Sequence, residues 1–211
     1  MLTLSITANL PDETAIVRAV DVLRRGGLVA YPTDTLYGLA VDPRRDDAVA
    51  RLFAAKGRDA SSAVPLIASS VDQAGEAAIF GERELQLARA FWPGPLTIVL
   101  PVKSGLAAAL LGGGTTVALR VPAHAVARAL AAAFDFPITA TSANRSGNPP
   151  AATGAEVAAA FETATDLLDV LLDAGAVTGG PPSTIVEMAE SGPRLVRAGA
   201  VAWNRVLESL E

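Results

Sequence analysis

Short apolar runs ending in hydroxyl-rich loops alternate with helical stretches along nearly the whole chain, which restricts it to an α/β fold. Asp12 and Glu13 precede an apolar series at Ile16, Val17, Val20 and Leu23, spaced as one helix face and closed by Gly26-Gly27. A strand over 28–31 then runs into Pro32-Thr33-Asp34-Thr35, and a helix is expected over 46–55. A short strand at 65–68 and one or two helices over 71–90 follow, before Trp92-Pro93-Gly94-Pro95 forces a turn into a strand at 96–100. Further strands are predicted at 117–121, 138–141, 167–172, 184–187 and 195–197, and helices at 125–133, from near Thr153 and after Trp203. Several strand connections are too short for a helical crossover, so the sheet is expected to be mixed rather than purely parallel. With no internal repeat or linker, the reading is one domain over 1–211, its core at about 12–200.

Composition narrows the chemistry. The 51% hydrophobic content supplies a core, although much of it is alanine. The chain has no cysteine, which excludes disulfides, thiolate metal sites and a thiol nucleophile, and its single histidine argues against a His-rich metal centre. Acidic residues outnumber basic ones, 22 to 17, no Lys/Arg run stands out, and aromatics make up 5%. That profile disfavours a non-catalytic RNA-binding module but leaves room for a local cationic cavity taking an anionic small molecule. Met1 to Asn9 lacks a basic start and a long apolar core, and no apolar run could span a bilayer. The expectation is a cytoplasmic protein with no membrane association.

Five polar loops lie at strand ends, where α/β proteins bind ligands. They are 31–38 with Thr33 and Thr35; Lys56-Gly57-Arg58 followed by Ser61 and Ser62; Thr115-Thr116 leading to Arg120; 141–147 with Ser142 and Asn144; and Pro182-Ser183-Thr184 paired with Arg197. Cations, hydroxyls and amides recur, without a clear nucleophile or general-base cluster. Such a set orients and neutralises a phosphate-rich ligand. Neither a Walker A loop nor a dinucleotide glycine fingerprint is present. The residues alone therefore specify an anion-binding α/β protein.

Lys56-x-Arg58 with Ser142-x-Asn144 resembles the Lys-x-Arg and Ser-x-Asn tetrad of the YrdC family of threonylcarbamoyl-AMP synthases. The flanking segments 31–39, 91–97, 120–122 and 183–186 agree in order with that family. The resemblance implies a single-domain form, with a twisted mixed β-sheet flanked by helices and a concave ligand cavity. It implies a nucleotidyltransferase that joins L-threonine, bicarbonate or CO2 and ATP with Mg2+, releasing pyrophosphate, for the tRNA modification N6-threonylcarbamoyladenosine (t6A). Lys56 and Arg58 are the implied catalytic pair. Lys56, Arg58, Ser62, Thr116, Ala140, Ser142, Asn144, Pro150 and Arg197 are the implied ATP contacts. Thr33, Thr35, Ser69, Arg120 and Ser183 are the implied threonine contacts. No metal ligand is implied in the protein, since Mg2+ is expected through the ATP phosphates. Proteins of a t6A transferase complex are the implied partners, and direct tRNA contact is left open.

Departures from the pattern keep a second reading in view: a relative with the same fold but no threonine-dependent synthase activity. Asp59 stands where the family commonly has proline, the loop after Arg58 is longer than usual, and Ser69 replaces a commoner histidine. His124 is read as structural or solvated, and Trp92 as core packing.

Overall fold

The structure, a computed structural model, describes residues 1–58, 62–162 and 167–211. Asp59 and Ser61 lie outside the described residues. Helix α1 (Glu13–Arg24) starts where Asp12 accepts a hydrogen bond from the Thr14 N–H, and it buries Ala15, Ile16, Ala19, Val20 and Leu23. Val17 belongs to the opposite face and is half exposed, because the buried stripe steps by three and four from Ile16. Among the described residues the remaining α-helices are α2 (Asp46–Lys56), α3 (Val71–Ala77), α4 (Glu82–Phe91), α5 (Ala125–Phe134), α6 (Gly154–Ala160) and α7 (Trp203–Glu208). Among the described residues none is long and apolar enough to cross a membrane.

The mixed α/β expectation holds, with the strands divided between two sheets. One sheet has the order β1 (Leu2–Ser5), β9 (Val170–Asp173), β2 (Val29–Tyr31), β3 (Gly38–Ala40) and β8 (Thr141–Ser142). The other runs β11 (Gly192–Arg197), β10 (Thr184–Ala189), β5 (Leu96–Pro101), β6 (Thr116–Arg120), β4 (Leu66–Ile67) and β7 (Ile138–Thr139). Both combine parallel and antiparallel pairs: β9 is parallel to β1 and β2, whereas β3 is antiparallel to β2.

The stretch anticipated as one strand at 138–141 is split between the sheets. β7 pairs with β4 and β8 pairs with β3, while Ala140 between them donates its N–H to Pro65 O at 2.8 Å. Thr139 fastens this seam: its hydroxyl donates to Leu39 O at 3.0 Å and accepts from the Val41 N–H at 2.9 Å. Tyr31, fully buried, donates its phenol to Thr139 O at 3.0 Å. Each of these buried polar groups is satisfied by the facing sheet, so the two sheets are held in register by hydrogen bonds as well as apolar contact. Strands β1 and β3 were not anticipated; β3 is three residues long and follows the 31–38 loop without a helical or turn signal of its own.

Candidate functional site

A cavity of about 750 Å3 opens between the sheets. Strand parity decides what faces it. Along β5, Thr97 and Val99 point into the cavity while Leu96, Ile98 and Leu100 enter the core; along β6, Thr116, Ala118 and Arg120 alternate with core residues Val117 and Leu119. The seam supplies the opposite wall through Ala140, Thr141 and Ser142, next to the 31–38 loop.

The structure brings together most of the residues anticipated from sequence. Thr33, Thr35, Arg58, Thr116 and Arg120 line the cavity, as do Ala140, Ser142, Pro150, Ser183 and Arg197. Lys56 and Asn144 lie behind the wall. Gly57 takes a left-handed conformation (φ 60°) that ends α2 and sends Lys56 and Arg58 in different directions. Lys56, 4% exposed, donates from Nζ to Ser142 O at 2.6 Å, Asn144 O at 2.9 Å and Asn144 Oδ1 at 3.1 Å. Burial, then the charge of Arg58, pushes its ammonium down to about 8. Ser142 donates its hydroxyl to Asn144 Oδ1 at 2.6 Å, so the Ser-x-Asn loop is built around the lysine.

Arg58 donates from Nη2 to Ser62 O at 2.6 Å and Ala63 O at 3.1 Å, while its buried Nε has no partner among the described residues. Ser62 itself is exposed and contributes its carbonyl to this contact. Ser69 is not among the wall residues; its N–H donates to Gln73 Oε1 at 2.7 Å at the start of α3. At the other end of the cavity, Arg120 Nη1 donates to Asp34 Oδ1 at 2.7 Å, and both side chains are largely buried. Arg197 Nη2 donates to Ser183 O at 2.8 Å and Ser183 Oγ at 3.1 Å, and Ser183 Oγ lies 2.8 Å from Thr97 Oγ1. Burial and the charge of Arg120 lower the Arg197 pKa.

The hydroxyls of the first loop have distinct tasks. Thr33 Oγ1 donates to Leu36 O at 2.6 Å and accepts from the N–H groups of Thr35 and Leu36. Its oxygen also lies 3.2 Å from Thr35 Oγ1. Thr33 shapes the loop, and Thr35 beside it lines the cavity. The Ser183 segment is fixed by a close approach: a Cβ at Gly199 would sit 2.2 Å from Pro182 O, a position only glycine allows. Sequence reading passed over Asp34 and Thr97. The signals were a lone carboxylate amid hydroxyls and the inward parity of Thr97 beside Val99.

The Sua5/YciO/YrdC family model, described as telomere recombination, matches residues 21–199. The chain belongs to this family. It is 45% identical over 191 residues to the threonylcarbamoyl-AMP synthase of Chromohalobacter salexigens, covering 88% of this chain and all of that protein. It is 38% identical over 197 residues to the threonylcarbamoyl-AMP synthase of Pyrococcus abyssi, covering 92% of this chain and 57% of that protein. The crystal structure of P. abyssi Sua5 complexed with L-threonine superposes with a TM-score of 0.92 at 34% identity, over 99% of this chain and 61% of that one.

Proposed function

We propose that the protein is an L-threonylcarbamoyladenylate synthase, a nucleotidyltransferase that makes threonylcarbamoyl-AMP and pyrophosphate from L-threonine, bicarbonate or CO2, and ATP. The observation that carries the reading is one cavity with a cation at each end: Arg58 beside the Lys56-held loop, and Arg120 with an edge free for a carboxylate. Arg120 clamps the amino-acid carboxylate through that edge, which suits bidentate pairing. The amine attacks CO2, forming an N–C bond and losing a proton to solvent, and gives a carbamate. A carbamate oxygen then attacks the α-phosphorus as the bond to pyrophosphate breaks. Arg58, on the cavity wall, meets the charge that gathers on the phosphate oxygens.

Mg2+ arrives with ATP as part of the substrate and neutralises triphosphate charge. The product serves t6A formation on tRNA, with transfer to tRNA left to partner proteins in the cytoplasm. The test is pyrophosphate release from Mg·ATP and bicarbonate, with and without L-threonine, with L-serine as control. Release that requires both threonine and bicarbonate supports the assignment, and release indifferent to threonine refutes it.

A further inference from the structure

The four cations of the site form two couples. Arg58 is the charge that acts on Lys56, and Arg120 is the charge that acts on Arg197. The couples differ in what opposes them. Lys56 and Arg58 are met by carbonyl oxygens, whereas Arg120 is met by the carboxylate of Asp34 at 2.7 Å. Asp34 is not itself a wall residue; it sits behind Arg120, and the hydroxyl of Thr178 donates to its backbone carbonyl at 3.2 Å. His124 also feels the charge of Asp34, although burial lowers its pKa overall. With Arg197 counted here by its contact with Ser183, rather than as the ATP contact that the family resemblance implies, two guanidiniums and one carboxylate leave this end with one net positive charge, while the Lys56–Arg58 end carries two.

We propose that Asp34 is a specificity-determining residue: it reserves the Arg120 end for a singly charged carboxylate and leaves phosphates to the Lys56–Arg58 end. The inference rests on the synthase reading for the identity of its ligands. The low-dielectric surroundings make the difference of one charge count, since Coulomb energies grow as the effective dielectric falls. Asp34 also fixes the guanidinium through Nη1, so that the remaining donors meet the substrate without rearrangement. A cavity lined by cations at both ends would otherwise accept polyphosphate in two places, and an amino acid would compete with ATP for its own subsite.

The test uses Asp34→Asn, which keeps an oxygen facing Arg120 and removes only the charge, with a thermal melt to compare folding. Initial rates of adenylate formation are followed chromatographically with added pyrophosphate as the probe. In the wild type, pyrophosphate is expected to compete with ATP and not with threonine. In Asp34→Asn, the threonine KM is expected to rise ~10-fold or more, with the ATP KM little changed, and pyrophosphate should begin to compete with threonine. Calorimetric titration with pyrophosphate, which needs no turnover, should go from one site in the wild type to two in the variant. A threonine KM within twofold of wild type overturns the proposal. So does a raised KM with no gain of pyrophosphate binding, or wild-type pyrophosphate that already competes with threonine. A wild type without threonine-dependent turnover refutes the synthase reading instead, and the calorimetric comparison then still decides the role of Asp34.

Discussion

Replacing Lys56 by methionine separates what the lysine does for folding from what it does for the site. The ammonium has three acceptors, but two of them keep other donors. Ser142 O also accepts from the Asn144 N–H at 3.0 Å, and Asn144 Oδ1 also accepts from the Ser142 hydroxyl. Only Asn144 O is orphaned, at a cost of ~1–3 kcal/mol. Against this stands relief from burying the charge. The ammonium is displaced from 10.5 to about 8, which corresponds to ~3 kcal/mol in favour of an uncharged side chain. The two effects nearly cancel, so the variant is expected to fold with a stability change within ~2 kcal/mol, or a Tm shift within ~8 °C. Activity should not survive in the same way. The loop carrying Ser142 to the cavity loses the group around which it is wrapped, and misplacement by ~1 Å is worth ~10²-fold in rate. Differential scanning fluorimetry and threonine-dependent pyrophosphate release measure the two quantities on one sample. Wild-type turnover by Lys56→Met refutes the role of the lysine as anchor, and loss of the folding transition refutes the cancellation.

The same reasoning gives three further expectations. Tyr37→Phe leaves Gly175 O without the phenol that reaches it at 2.8 Å, and should cost ~1–3 kcal/mol in chemical denaturation while raising the threonine KM through the loop leading to Ser183. Thr33→Val removes a hydroxyl that holds Leu36 O and two N–H groups; a threonine KM raised ~10-fold, rescued by Thr33→Ser, is expected from steady-state kinetics. In a pH series, kcat/KM for ATP should fall above about 8 as Lys56 loses its charge in the free enzyme, with the kcat limb displaced upward because bound phosphates restore it. Stability should move the other way: the unfolded chain keeps the lysine proton to about 10.5, so stability rises from pH 8 towards 10. It then falls as Tyr31 and Tyr37, both raised by burial, ionise only in the unfolded state.

Helix periodicity made α1 and the longer helices legible, and the loops that became cavity walls were visible as hydroxyls and cations at strand ends. What the residues could not convey was depth. Lys56 and Arg58 are separated by one residue and look equivalent in sequence, yet the left-handed Gly57 places the lysine among carbonyls and the arginine on the wall. The family resemblance implies Ser69 as a threonine contact, yet it is not among the wall residues, and its N–H is engaged at the start of α3. Asp34 was hidden for a related reason. A carboxylate in a polar loop is ordinarily solvated, and only the fold shows that a strand-end arginine 86 residues away covers it.

The seam at Ala140 explains why so many separate loops converge. A strand confined to one sheet delivers alternate residues to one face, but the 138–142 stretch changes sheets in mid-course and carries the chain across the cavity. Its backbone spans the gap between the wall that bears Arg120 and the wall that bears Thr35, and its far end, Ser142, meets the Lys56-held loop. Both cationic ends are thus referenced to one short piece of backbone, pinned by the Thr139 hydroxyl to β3. Any substrate that bridges an amino-acid carboxylate and a triphosphate needs those ends at a fixed separation, because a near-attack geometry tolerates little slack.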